Sequence, residues 1–285
     1  MSITDPARAR ADAVRRPAWH PSPLVKGSVA WQITGLAAWI AQPRLWQPIV
    51  AALVADHVAL TAAGFVPRGR WLGPNSDRLP EGSRQRDEVA LTFDDGPDPE
   101  ITPKILDILG QAGISASFFC IGQRAAAHPQ LVTEIARRGH WIENHSYTHS
   151  VMFSMLPPWA LKRDIVRAQE VLASASGRAP QLFRAPAGFR SLLLDPVLTH
   201  LGLRFVSWTR RGFDKADGNA HRVARRVVGA VEAGDVLLLH DGSPARDRNG
   251  RPVVLEALPR VLDALASRQL KAVPFLLEAA AEMPA

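Results

Sequence analysis

The sequence predicts a parallel α/β domain over residues 88–276, and three observations predict it. Seven apolar runs of strand length, at 88–94, 115–121, 140–144, 181–185, 203–208, 235–240 and 271–276, alternate with helical patterns near 103–112, 129–138, 158–175, 192–201, 219–233 and 253–269. Such alternation marks βα units assembled on a parallel sheet, closed as a barrel or left open. Gly113, Gly139, Gly177, Gly202 and Gly234 each close a helical stretch, as glycine does after a C-cap. Residues able to do chemistry gather just past the strand ends, where parallel α/β folds build their sites.

The elements follow in chain order. Residues 1–27 are rich in Arg, Ala and Pro and read as a flexible basic N-terminus. Residues 28–70 form an apolar helical region with two stretches, Ser28–Ala41 and about Trp46–Phe65. The first is short for a bilayer span of ~20 residues. The second is long enough but carries Asp56 and His57 in its middle, which are costly in lipid unless they face a partner. A membrane anchor or hairpin, an interfacial anchor, and a pair of helices packed on the main domain are all open readings. Arg15, Arg16 and Lys26 precede the two stretches and Arg68 and Arg70 follow them, so two spans would leave both ends in the cytoplasm, whereas one could put the main domain outside. No small-residue cleavage site follows a clean apolar core, which argues against a cleaved signal peptide. The expectation is a bacterial-type inner-membrane-associated or cytoplasmic protein. Residues 71–87 carry Gly, Pro, Asn and Ser and read as a linker. In the domain beyond, Thr102-Pro103 is read as a cap followed by proline at the first helical position.

Composition removes several classes. With 285 residues, 47% apolar and 21% charged, the chain is globular. The net charge of +7 is spread without a dense Lys/Arg block or a nucleic-acid-binding spacing, so no nucleic acid partner is expected. Cys120, the single cysteine, lies in the apolar run 117–121 and reads as a buried structural thiol. Any metal must therefore be held by His, Asp or Glu.

Five strand ends carry the chemistry. The first ends in Thr92-Phe93-Asp94-Asp95-Gly96-Pro97, an adjacent carboxylate pair that makes functional sense if one binds a cation and the other takes a proton; capping the turn is the plainer alternative. The third leads into His145-Ser146-Tyr147-Thr148-His149, whose i, i+4 histidines would share one face of a helical turn as metal ligands do. The fourth ends at Arg184-Ala185-Pro186-Ala187-Gly188-Phe189, where Arg184 is placed either to clamp a carboxylate or to sit on a surface turn. The fifth reaches Trp208, a core residue or a sugar-stacking wall, and then Asp214. The sixth ends in Leu237-Leu238-Leu239-His240, which puts His240 at the same rim as a candidate general acid. Two Asp, three His, one Arg and one Trp at one rim suit metal-assisted hydrolysis.

Taken in order, these segments resemble the five motifs of the polysaccharide deacetylase (NodB-type) family, carbohydrate esterase family four, over roughly residues 86–276. The resemblance implies a distorted seven-stranded (β/α) barrel and a metal-dependent hydrolase that removes N-acetyl or other short N-acyl groups from amino sugars of a poly- or oligosaccharide. It implies that Asp95, His145 and His149 bind one divalent metal, commonly zinc. Asp94 would be the general base held by Arg184, and His240 the general acid oriented by an acidic residue, here Asp214. The Ala187 N–H would help bind the oxyanion. Two departures stand out: Ala187 occupies the place of a usual Tyr, whose ring Phe189 partly replaces, and Arg210-Arg211-Gly212-Phe213-Asp214 replaces a usual Asp-Trp ending, so that Arg210 or Arg211 is also placed to reach the site. The expected partner is an N-acetylated carbohydrate, and residues 28–65 are the expected membrane contact. Two alternatives stay open: a deacylase or deformylase of a lipid-linked amino sugar, and a non-catalytic carbohydrate-binding protein on the same fold.

Overall fold

A computed structural model describes residues 18–276. Most of the expected basic N-terminus, including Arg15 and Arg16, lies outside the described residues. From Trp19 onward the chain is anchored: the Trp19 indole donates to Asp195 Oδ2 at 2.9 Å. Helix α1 (Pro23–Ala41) starts on Ser22, whose hydroxyl accepts the Val25 N–H, with proline at the first helical position. After a tight turn, α2 (Trp46–Gly64) runs back alongside it. This hairpin packs on the rest of the molecule at its base alone, where Val25, Leu60 and Ala63 meet Leu72 and Leu192. Elsewhere both helices are apolar around their circumference and largely exposed. Asp56 is satisfied inside the hairpin, accepting from Ser28 Oγ at 2.6 Å and Gln32 Nε2 at 3.1 Å.

Helix α3 (Glu81–Gln85) leads into β1 (Glu88–Asp94), α4 (Thr102–Ala112), β2 (Ser117–Cys120), α5 (Gly122–Ala127) and α6 (Pro129–Arg137). Then come β3 (Trp141–Asn144), α7 (Pro158–Ser176), β4 (Leu182–Phe183), α8 (Leu194–Leu201) and β5 (Arg204–Phe205). The chain closes with β6 (Arg210–Arg211), α9 (Ala220–Val228), β7 (Val236–His240), α10 (Val254–Ser267) and β8 (Lys271–Val273). Every strand pairing is parallel, in the order β5-β4-β3-β2-β1-β7-β6, with β8 on the lower part of β1. The sheet is a curled half-barrel with helices outside.

Three differences from the sequence reading have physical causes. The run 203–208 is not one strand: after Phe205 the chain crosses from one sheet edge to the other and resumes as β6 beside β7, giving eight strands. The stretch 71–87, read as a linker, is part of the fold. Ser76 bridges to Val206, Arg78 to Asp235, and Leu79 is buried with Trp208 and Phe275, so this segment spans the gap between the two sheet edges. Thr102 does not cap α4. Its hydroxyl accepts the Asp98 N–H and donates to Asp241, while Asp98 Oδ1 takes the N–H groups of Glu100 and Ile101.

Strand alternation decides what enters the barrel. Val89, Leu91 and Phe93 of β1, Phe118 and Cys120 of β2, and Leu237 and Leu239 of β7 pack outward under the helices. Ala90, Phe119, Leu182, Val236 and Leu238 fill the interior. Two residues on from interior positions stand Arg184 and His240; Asp94 is likewise in phase with Ala90. The same two-residue period that builds the core therefore delivers an acid, a guanidinium and an imidazole to the C-terminal mouth.

Candidate active site

Asp94 is buried, and its Oδ1 accepts from Arg184 Nη1 at 2.6 Å. Arg184 is fully buried. The same nitrogen donates to Thr92 Oγ1, Nη2 donates to the Ser207 carbonyl, and the guanidinium lies 3.9 Å over the Phe119 ring. Such a network commits one Asp94 oxygen to Arg184 and leaves Oδ2 facing the cluster, 3.9 Å from His145 Nε2.

Asp95 turns the other way because its backbone is left-handed, with φ 73°. The close approach of Asp241 explains Gly96: a Cβ there would lie 1.9 Å from Asp241 Oδ2. Asp95 Oδ1 sits 3.2 Å from His145 Nε2 and 3.1 Å from His149 Nε2. Burial raises the Asp95 pKa, but hydrogen bonds and charge from the two histidines outweigh it and hold the carboxyl well below the usual range. The three ligand atoms lie within 4.8 Å of one another. Metal–ligand bonds of ~2.0–2.1 Å at tetrahedral angles place ligand atoms about 3.3 Å apart, close to both measured separations. His145 Nδ1 is 2.7 Å from the Arg184 carbonyl, which can only accept. Nδ1 thus carries a proton, and Nε2 is the nitrogen that faces Asp95 Oδ1 and would ligate a metal once deprotonated. This donor set and tautomer fit a divalent ion.

The histidine pair does not share a helical face, as the i, i+4 spacing implied. Residues 145–149 form a turn with Ser146 and His149 left-handed (φ 65° and 50°). Asp164 of α7 holds the turn by accepting the N–H groups of Tyr147 and Thr148 and the Thr148 hydroxyl.

His240 and Asp214 form a second pair. His240 Nδ1 is 2.8 Å from Asp214 Oδ1, and the His240 backbone N–H donates to Oδ2 at 2.7 Å. Asp214 is fully buried. Trp208 is buried in the barrel interior, under Gly188 and beside Arg211. Ala187 is exposed at the rim in a left-handed conformation, φ 56°. The Phe189 ring meets Phe65, at the end of α2, edge-on at 4.9 Å. Arg210 reaches Asp235 and Arg211 stacks over Trp208 and Phe213, so neither enters the carboxylate cluster.

Sequence reasoning missed two participants. The Lys215 ammonium hydrogen-bonds Asp95 Oδ2; a lysine on an irregular loop carries no periodic signal that would single it out. Asp241 lies buried beside Asp95, its carboxyl pushed up to about 7 by burial and by the charges of Asp95 and Asp94 against the Thr102 hydrogen bond. Its place next to His240 was the available clue.

With this geometry in hand, the relatives are informative. The Polysaccharide deacetylase family model matches residues 81–206. A peptidoglycan-N-acetylglucosamine deacetylase of Bacillus cereus is 32% identical over 208 residues, 72% of this chain and 89% of the relative. A chitooligosaccharide deacetylase of Bradyrhizobium is 34% identical, over 63% of this chain and 85% of the relative. The solved structure of a family 4 carbohydrate esterase from Streptomyces lividans in complex with acetate superposes with a TM-score of 0.59 at 34% identity, covering 65% of this chain and 91% of that one. The chain belongs to the polysaccharide deacetylase family and is a hydrolase of carbon–nitrogen bonds.

Proposed function

We propose that the protein removes N-acetyl or other short N-acyl groups from amino sugars of a poly- or oligosaccharide, with one divalent metal, zinc by choice of ligands. The observation that carries this reading is the convergence at one mouth of the Asp95–His145–His149 cluster, the Arg184-held Asp94 and the Asp214-held His240.

Asp95, His145 and His149 would hold the metal. When bound, it supplies Lewis acidity, polarising the acyl carbonyl and making water acidic enough to lose a proton near neutral pH. Asp94, with Oδ2 free, takes that proton as general base. The water oxygen bonds to the acyl carbon, and the Ala187 N–H is the oxyanion donor; one such donor contributes ~3 kcal/mol. The carbon–nitrogen bond then breaks. His240 Nδ1 is committed to Asp214, so Nε2 delivers the proton to the departing amine. The products are a free amino sugar and a carboxylate. Lys215 holds Asp95 Oδ2 so that Oδ1 stays aimed between the histidines. Trp208 supports the wall beneath Gly188, and Phe189 lines the rim beside Ala187.

We infer further that the apolar hairpin associates with a membrane. Pro43–Gly64 is long and apolar enough to cross one, and a hairpin exposed around its circumference has no internal surface to cover. This favours, as a second reading of the substrate, an amino sugar carried on a lipid. The full set of acid, base and ligand residues weighs against a non-catalytic binding protein. Acetate release from N-acetylglucosamine oligomers by the full chain, with zinc and then with a chelator, tests the activity; release that ignores the chelator sinks the metal assignment.

A further inference from the structure

The apolar hairpin ends on the wall of the catalytic mouth. A shallow groove of about 640 Å³ runs along one face of α2, lined by Val50, Leu53, Val54, Val58, Ala62 and Phe65 together with His57 and Thr61. These positions recur every three or four residues, so they form one stripe, about 22 Å long at 1.5 Å per residue. Its last member, Phe65, meets Phe189, two residues from Ala187. The joint is tight: the Arg190 N–H donates to the Gly64 carbonyl at 3.1 Å, and a Cβ on Gly64 would lie 2.1 Å from the Arg190 carbonyl oxygen.

A second apolar surface borders the same mouth. The loop after His149 exposes Val151 (92%), Met155 (73%) and, at the start of α7, Trp159 (66%). Three consecutive leucines tie the two surfaces together. Leu192 packs in the hairpin base, while Leu193 and Leu194 pack with Phe153 and Leu156 of that loop. Apolar surface flanking a polar cleft on two sides suits an apolar contact, such as lipid, beside the polar substrate group.

We propose that the α2 stripe takes the hydrocarbon chain of the substrate, which is an N-acylated amino sugar on a lipid, the chain lying along α2 while the sugar reaches the Asp95–His145–His149 cluster. The proposal rests on the deacylase reading above and adds the substrate class to it. A bilayer supplies the occupant: α2 has the length and composition of a span, and its stripe leads from lipid depth to the mouth, with His57 and Thr61 as its polar members.

The test compares methyl and dodecyl N-acetyl-β-glucosaminide, the latter below its micellar concentration, as substrates of the zinc-loaded full chain. The expected kcat/KM is at least tenfold higher for the dodecyl glycoside. Val54→Gln with Val58→Gln should collapse that ratio at least fivefold. Ile33→Gln with Ile40→Gln, which adds the same polarity on α1, should keep it. Equal kcat/KM for the two glycosides, or hydrolysis of chitotetraose but neither glycoside, overturns the groove and leaves the deacylase reading standing. A ratio lost equally in both double variants assigns the preference to general adhesion and also overturns it. A ratio that appears only after residues 1–17 are removed shows that this segment is the occupant. If no N-acetylated sugar is hydrolysed under any of these conditions, the deacylase reading fails and the groove proposal falls with it.

Discussion

At the scale of single residues, two adjacent carboxylates are assigned opposite tasks by their surroundings. Asp94 has one oxygen on a buried guanidinium and Asp95 has one between two imidazoles. Asp94→Asn should lower kcat by ~10²–10⁴ while zinc affinity, measured by competition with a chromophoric chelator, stays within a few-fold. A parallel loss of zinc would move Asp94 into the ligand set. Lys215 is assigned to position Asp95 through Oδ2, since both histidines address Oδ1. Lys215→Met should therefore weaken zinc binding by about 10–100-fold, as loss of a partner behind a metal ligand does. Tighter binding in that variant would show instead that the ammonium competes with the metal. Asp94, Asp95, Arg184 and His240 were legible because strand ends are periodic and the chemistry-bearing types stand out against apolar runs. Lys215 was not, because only the folded path of an irregular loop brings it to Asp95.

At the scale of elements, β3 shows how interior polarity couples to pH. Glu143 points into the barrel and accepts the N–H groups of Gln181 and Leu182 through Oε2. Burial pushes its carboxyl up to about 8 against those two hydrogen bonds and the nearby Arg178 and Arg184 charges. The unfolded chain releases this proton near 4.5 and the native chain holds it to about 8. Stability must then fall as pH rises through that window. Urea unfolding at pH 5 and pH 9 should show a loss in the wild type that exceeds the loss in Glu143→Gln, whose amide oxygen can accept the same bonds, by on the order of 3 kcal/mol; the loss common to both includes that of Asp241, also pushed up by burial. Equal pH dependence in both proteins would mean that Glu143 is ionised in the native state. Helix and strand positions were legible from periodicity and terminating glycines, except that α9 ends at Val228 on Gly229 rather than running on to Gly234. The barrel closure by residues 76–79 was not: it uses isolated bridges in a Gly- and Pro-containing stretch, where no run of apolar residues announces pairing. The left-handed turn at 145–149 was missed for a related reason, since i, i+4 spacing fits a helix and a compact turn alike.

At the scale of the whole molecule, the asymmetry lies between a domain with a closed core and a hairpin with almost none. The sequence left three readings of residues 28–65, because composition cannot tell a membrane face from a buried one. The fold narrows them: contact with the main domain is confined to the base, and the remainder of each 19-residue helix is apolar surface in search of a medium. Nineteen residues rise about 28 Å, close to the ~30 Å of a bilayer core. The single acidic side chain of α2 is neutralised in hydrogen-bonding terms by Ser28 and Gln32, nearer the base than the tip. If the hairpin inserts, the full chain should float with phospholipid vesicles in a density gradient at high salt, where its +7 charge is screened. Ile33→Arg with Leu36→Arg should abolish flotation, since each arginine near mid-bilayer costs about 2.5–3.5 kcal/mol. Both positions are exposed, so the variant should unfold at an unchanged urea midpoint and the loss of flotation cannot be laid to misfolding. Flotation that survives the two arginines would place the hairpin flat in the interface, with its α1 face to water and the mouth held at headgroup level rather than beneath a spanning anchor.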